Sequence, residues 1–450
     1  MAKQSTMDLT VGKPIRQILL FSLPLILGTL FQQLYSFVDT IMVGRLISND
    51  ALAAVGTTYS LNFLTLGFVQ GACVGFGIPL AKSVGAKEPE EFKRYFWNGT
   101  WICAALGAVM TVGTFLLAEP LLRLIQTPED IFVDATVYIQ IIFLGIPATI
   151  LYNFCAGALR AAGDSQRPFY FLLFSSFLNI ALDYVFIAPC GMGVAGAALA
   201  TVLSQLVSGL LNLYWLVKKT DFLLNCTGLR KLSKPHAAHL CKVGFPMGFE
   251  YSISALGAVV MQSAINSLGT VAVTGQTAGE KIRQMFTLPM ESVGMGMATY
   301  AGQNDGANRP DRLKEGIKAG LTIQLTYCAA AWIVIYFGKG AFTTLVLGPN
   351  SGQAGALSVQ YLTIISTLFC IHGSLMIMRN TLQGMGYSVH AVRSGVGELL
   401  GRCVGGGLAV RYFGFTGICF ANPLAWLFAL AYCSVLVYRF LGQRLKAKIA

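Results

Sequence analysis

Two carboxylates stand where a carboxylate is costly. Asp39 lies in LYSFVDTIMVG and Asp183 in FLNIALDYVFIA, each within a stretch apolar enough to cross a bilayer. An acidic side chain at the centre of a spanning helix costs roughly 2.5–3.5 kcal/mol on insertion scales, so such residues mark ion or substrate paths. Asn179 precedes Asp183 by one helical turn and shares its face. Carboxylate and amide oxygens suit a hard cation such as Na+, and a carboxylate kept out of water suits a proton. Brought together, two aspartates repel, so the pair is expected to hold a proton or share a cation. The chemistry this implies is reversible binding of a small cation. The competing reading, in which each aspartate only hydrogen-bonds a neighbouring helix, stays open here.

Little else in the chain suggests bond-making. There is no GxxxxGK[ST], no HExxH, no GxSxG and no Cys/His nucleophile pattern, so the chain reads as a non-enzyme that needs no cofactor beyond Na+ or H+ as coupling ion. Gly191-x-Gly193-x-x-Gly196 formally matches GxGxxG, but it opens a membrane helix and reads as helix-packing glycine. His372 stands alone in an apolar stretch and reads as packing. The 11 cysteines lack metal-type spacing and read as small apolar residues. Asn98-Gly99-Thr100 matches a glycosylation acceptor by pattern only, at the cytoplasmic start of a span.

The elements that must position the aspartates are membrane helices. Of 450 residues, 55% are hydrophobic and 12% charged, against about 25% charged in soluble domains. Twelve apolar stretches approach the ~20 residues a spanning helix needs: 15–44, 51–81, 92–118, 131–159, 168–188, 193–217, 238–265, 270–302, 313–337, 354–384, 389–412 and 415–440. With the N-terminus placed in the cytoplasm, cytoplasmic segments hold 24 of the 32 Lys and Arg. That bias puts both termini inside and makes the net charge of +12 a matter of topology, with no nucleic-acid partner expected. The partners expected are the bilayer and small organic substrates, the working unit a monomer, and the location a bacterial inner membrane.

The chain repeats itself. Residues 52–84 align without gaps on 271–303, setting Val74-Gly75-Phe76-Gly77 on Val293-Gly294-Met295-Gly296; Gly163 falls on Gly386 and Gly193 on Gly414. Six spans per half make the repeats parallel, a design in which transporters bind substrate between halves and rock them. The expected division is an N-lobe at 1–217, a cytoplasmic linker at 218–237 with a short amphipathic piece, and a C-lobe at 238–450. Pro24 and Pro246 occupy matching positions, and Pro24, on the helix of Asp39, is a candidate hinge.

The repeat also shows an asymmetry. The counterparts of Asp39, Asn179 and Asp183 are Met261, Arg402 and Gly406, so the carboxylate pair belongs to one half only. The second half has its own polar set. Glu280 with Arg283, and Glu398 with Arg402, have the spacing of helical ion pairs. Glu250 has no obvious local partner and is the better candidate for a cationic substrate. Met285 and Met290 are candidates for lining an adaptable cavity.

Several segments together resemble the multidrug and toxic compound extrusion (MATE) family. They are SLPLILGTLFQQLYSFVDTIMVGRL at 22–46, GALRAAGDSQRP at 157–168, LNIALDYVF at 178–186, GVAGAALATVLSQ at 193–205 and MESVGMGMATYAGQNDGA at 290–307. The chain is most similar to the DinF-like branch. The resemblance implies an all-α, twelve-helix, two-lobed antiporter that expels amphipathic, often cationic compounds in exchange for Na+ or H+. It also implies that Thr201 joins Asp39, Asn179 and Asp183 in an N-lobe site. The NorM-like branch uses a second-half glutamate and aspartate; the tenth span here has no aspartate, which puts that second site in doubt. A lipid-linked oligosaccharide flippase of the same superfamily is the alternative, and would be expected to have a cationic cavity.

Overall fold

The computed structural model describes residues 6–219 and 229–449. The predicted amphipathic piece of the linker falls largely on 220–228, outside the described residues. Thirteen helices occur among the described residues: α1 Pro14–Leu46, α2 Asn49–Ala86, α3 Pro89–Leu124, α4 Glu129–Leu144, α5 Ile146–Ala161, α6 Gln166–Ile187, α7 Gly193–Lys219, α8 Lys234–Asn266, α9 Thr270–Gly306, α10 Pro310–Leu347, α11 Gly352–Thr367, α12 Phe369–Gly384 and α13 Ser388–Ile449.

All twelve expected stretches are helical. Eight helices are long and apolar enough to span a membrane; the pairs α4–α5 and α11–α12, bent by 43° and 48°, bring the number to ten. The other two expected spans, α9 and the part of α13 before Gly414, carry the in-span charges Glu280, Lys281, Arg283, Glu291, Glu398 and Arg402, which lower their apolarity without preventing the helix. Large apolar side chains lie open along α3 and α10, among them Val109 (71%), Leu116 (69%), Phe337 (82%) and Leu345 (83%). Water would penalise such surface at about 25 cal/mol per Å², whereas lipid does not. The chain is a multi-pass membrane protein.

The backbone confirms the repeat. Several residues held at positive φ come in matched pairs: Gly163 (87°) with Gly386 (88°), Gly193 (58°) with Gly414 (56°), and Lys87 (59°) with Asn308 (52°). Gly163 is tightly enclosed. A Cβ there would lie 2.1 Å from the Met7 carbonyl oxygen, whose residue also donates its N–H to Gly163 O at 2.9 Å. Left-handed backbone costs a non-glycine residue about 1–2 kcal/mol, and the clash adds to it. Gly163→Ala is therefore expected to lower the melting temperature of the purified protein. A melting curve equal to that of the wild type would show that neither the backbone strain nor the Met7 contact contributes.

Packing divides the chain differently from the expected lobes. One compact unit comprises Met1–Asp8 and Leu27–Ser252, the other Leu9–Ile26 and Ile253–Ala450. The divisions fall inside α1, two residues after Pro24, and inside α8, six after Pro246. Glycines account for this. In the first unit, Gly71 and Gly75 of α2 meet α8 so closely that added Cβ atoms would lie 2.5 Å from Met247 O and 2.6 Å from Gly244 Cα. In the second, a Cβ on Gly296 of α9 would lie 2.2 Å from Ser22 Oγ of α1. Small residues let helix backbones approach closely in a membrane, and here each α2-type helix receives part of the opposite repeat's first helix.

The start of α8 is tied to α3 within the first unit. Ser233 N donates to Asn98 Oδ1 at 2.7 Å, Trp101 Nε1 donates to Arg230 O at 3.0 Å, and the Arg230 guanidinium lies over the Trp97 ring at 4.8 Å. Asn98 is fully buried, so it is a structural side chain with no room for a glycan.

Candidate functional site

The part of α1 from Leu27 onward, α6 and α7 position the candidate cation site, all in the first unit. The start of α6 is fixed by buried Asp164, which accepts from Arg167 N at 3.2 Å and Nη1 at 3.1 Å. The Arg167 guanidinium in turn lies over the Trp215 ring of α7 at 4.6 Å. Asp39 is seven residues from the end of α1 and Asp183 four from the end of α6, about 10 and 6 Å along the axes at 1.5 Å per residue. The two therefore sit at similar depths, within electrostatic range of each other and of Tyr35 and Tyr138.

Hydrogen bonding sets this group apart. Asp183 is 0% exposed and Asn179 1%. Both Asp183 oxygens, both polar atoms of Asn179 and Asp39 Oδ1 have no hydrogen-bond partner among the described residues. Buried polar groups are nearly always paired, and the structural reading required each aspartate to bond a neighbouring helix. Asn179, Asp183 and one oxygen of Asp39, without partners among the described residues, instead fit a site for a small cation. Thr201 lies on α7, its hydroxyl donating to Ala197 O at 3.1 Å, which leaves its oxygen lone pairs free to accept.

One turn further along the same helices is a feature the sequence reading missed. Gln32, Tyr35, Tyr152, Leu172, Ser175, Ser176, Ser204, Gln205 and Ser208 line a polar cavity with about 20 Å³ open to water centres, where one water needs roughly 10–15 Å³. Ser175 and Ser176 donate to Leu172 O at 2.9 and 2.8 Å, and Ser204 donates to Thr201 O at 2.9 Å. With their protons spent on their own helices, these hydroxyls present acceptor oxygens. The signal was present as polar residues one and two turns before Asn179 and Asp39 and one and two turns after Thr201.

The second unit holds the other candidates, with one exception. Arg283 Nε donates to Glu280 Oε2 at 2.8 Å, its Nη2 also engages Glu280, and Tyr361 OH donates to the same carboxylate at 2.5 Å. Arg402 Nη2 reaches Glu398 Oε2 at 3.4 Å, as its spacing predicted. Glu398 also pairs with Arg379 of α12, a contact between helices that spacing did not reveal. His372 is buried, 4.6 Å from the Trp426 ring, yet neither ring nitrogen has a hydrogen-bond partner among the described residues, so it is not the satisfied packing histidine expected. Met290 is fully buried and its carbonyl accepts from Gln324 Nε2, whereas Met285 is 43% exposed; the two have different surroundings. Glu250 is the exception: it is buried, lies in the first unit and is engaged by a neighbour.

Comparison with known proteins agrees with this architecture. The MatE family model matches residues 24–185 and 246–399, one segment in each repeat. The chain is 29% identical over 380 residues to the "Probable multidrug resistance protein YpnP" of Bacillus subtilis, covering 84% of each chain. It is 24% identical over 381 residues to the "Multidrug export protein MepA" of Staphylococcus aureus, covering 83% of each. A crystal structure of MATE in complex with MaL6 superposes with a TM-score of 0.91 at 22% identity, over 99% of this chain and 100% of that one. An outward-facing multidrug resistance MATE family transporter gives 0.90 at 21%, again over 99% and 100%. With its fold shared and both repeats matched, this chain belongs to the MatE family.

Proposed function

We propose that the protein is a secondary active efflux antiporter, exporting amphipathic, often cationic organic compounds in exchange for Na+ or H+ by rocking of two lobes. The multidrug relatives supply the substrate class. The observation that carries the coupling is buried Asn179 and Asp183 beside partly exposed Asp39: no polar side-chain atom of the first two, nor Asp39 Oδ1, has a hydrogen-bond partner among the described residues.

Thermodynamics gives the group its role. A cation arriving from outside neutralises the carboxylates and removes their attraction for a cationic substrate, so ion and substrate compete and exchange follows. For a neutral or zwitterionic substrate, each positive charge moving inward yields about 2.3 kcal/mol per 100 mV, roughly a 40-fold concentration ratio. For a monovalent cation exchanged one for one, the membrane potential cancels and the ion's concentration gradient does the work. Pro24 supplies the point at which α1 can bend, because proline removes one backbone hydrogen bond of the helix.

The flippase alternative calls for a site for pyrophosphate, with its several negative charges. Glu280 and Glu398 neutralise much of the charge of the second-unit guanidiniums, leaving too little for a pyrophosphate, which favours the antiporter. Efflux of a fluorescent cation such as ethidium from proteoliposomes, under separately imposed Na+ and H+ gradients, tests the proposal. One gradient is expected to drive efflux against the dye's own gradient. Dye retention under both gradients would overturn the reading.

A further inference from the structure

The repeat lets the two units be compared position by position, and they differ in the sign of their charge. In the first unit Asp39 and Asp183 lie within range of one another. Their counterparts Met261 and Gly406 keep the same neighbourhood: a Cβ on Gly406 would lie 3.5 Å from Met261 Sδ. The geometry is retained and both carboxylates are gone. At the place of Asn179 stands Arg402, and at the place of Tyr35 stands Gly257. A Cβ on Gly257 would lie 2.4 Å from Arg402 Nη1, so this glycine makes room for the guanidinium. The Thr149–Gln205 hydrogen bond of 2.6 Å in the first unit corresponds to the His372–Trp426 ring contact in the second.

Three guanidiniums gather around this position. Arg283, Arg379 and Arg402 are all within electrostatic range of His372. Glu280 binds Arg283, and Glu398 is shared by Arg379 and Arg402. Glu291, the remaining acid nearby, is exposed and within range of Arg283 and Arg379. Arg402 Nε and both His372 nitrogens lack hydrogen-bond partners among the described residues. The cluster is reachable, since the Arg402 and Arg283 side chains are 14% and 15% exposed and that of Glu280 is 36%. Guanidinium recognises carboxylate and related oxyanions through paired N–H donors. The Arg283 guanidinium also lies 5.9 Å from the centre of the Trp426 ring, an aromatic surface beside the charge.

We propose that the second unit contains a binding site for one anionic group, a carboxylate or sulfonate carried by an amphipathic aromatic compound, with Arg402 and His372 donating to the anion and Trp426 packing on the ring. The unpartnered Nε of Arg402 and ring nitrogens of His372 supply donors for a single anionic group. The inference rests on the export reading and extends its substrates from cations to zwitterions and organic anions.

A matched pair of probes tests it: dansylglycine and its neutral amide, titrated by fluorescence into purified protein in nanodiscs. The wild-type protein is expected to bind the carboxylate at least tenfold more tightly than the amide. Arg402→Gln is expected to bring that ratio below threefold while leaving amide affinity within twofold. Gly257→Ala keeps the charge but displaces the guanidinium, and is expected to cut the ratio likewise; it decides the matter if Arg402→Gln does not purify as a monodisperse protein. A wild-type ratio below twofold, or a tenfold ratio surviving in a folded variant, would overturn the site. Failure of the export reading would show separately, as absent ethidium efflux by wild-type proteoliposomes.

Discussion

Asp183→Asn is expected to reduce resistance of a drug-sensitive bacterial host to the level of the empty vector, with the protein still made and inserted. Asp39→Asn is expected to do the same. Asparagine preserves shape and one oxygen but cannot take up a proton or neutralise a cation's charge. The second half of the prediction concerns stability. An acid retained for structure would cost several kcal/mol when its partner is stranded, whereas Asp183 is fully buried with no hydrogen-bond partner among the described residues. Relieving an unpaired buried charge should leave the melting temperature unchanged or raise it. Export lost with stability kept supports the coupling role. Wild-type resistance from either variant, or a melting temperature lowered by many degrees, would remove the residue from the site.

Glu398→Gln is expected to produce the opposite pattern, a protein that folds poorly. Glu398 is 5% exposed and is the carboxylate shared by Arg379 and Arg402. Removing one member of a buried ion pair costs about 3–5 kcal/mol, because the remaining charge is left uncompensated. Here two guanidiniums lose the same partner. The yield of monodisperse protein should fall sharply. Glu398→Gln combined with Arg402→Gln should recover part of it, since the double variant restores the charge balance. A single variant as stable as wild type would mean that water, rather than Glu398, balances these arginines.

The sequence made some of this readable for physical reasons. Asp39, Asn179 and Asp183 stood out because a charge in apolar sequence is costly, and that cost does not depend on knowing the fold. The repeat was readable because glycines such as Gly163 and Gly386 share one unusual backbone conformation, which few other residues tolerate. The Glu280–Arg283 and Glu398–Arg402 pairs followed from helical spacing. Arg379–Glu398 did not, because helical periodicity gives the face of a helix and not the identity of its neighbour. The serines of the first-unit cavity were missed because a serine bonded to its own helix looks hydropathically neutral. The grouping of Leu9–Ile26 with the second unit and of 234–252 with the first was also hidden. Both segments form ordinary helix, and only close approach at glycines such as Gly75 and Gly296 reveals their partners.

That grouping sets an order on synthesis. Chains emerge from the ribosome N-terminus first, and a packing unit closes only when its last segment is available. The first unit runs to Ser252, beyond the end of the first repeat, so six inserted helices are still an open structure at that stage. The segment Leu9–Ile26 is made before the first unit is complete, yet the rest of the unit it belongs to begins only at Ile253. During translation this segment must wait in the membrane without its partners. A fragment stopping after the first repeat would therefore lack residues 234–252 of its own unit while retaining an orphaned helix start, which makes it a natural target for membrane quality control rather than a stable half-transporter.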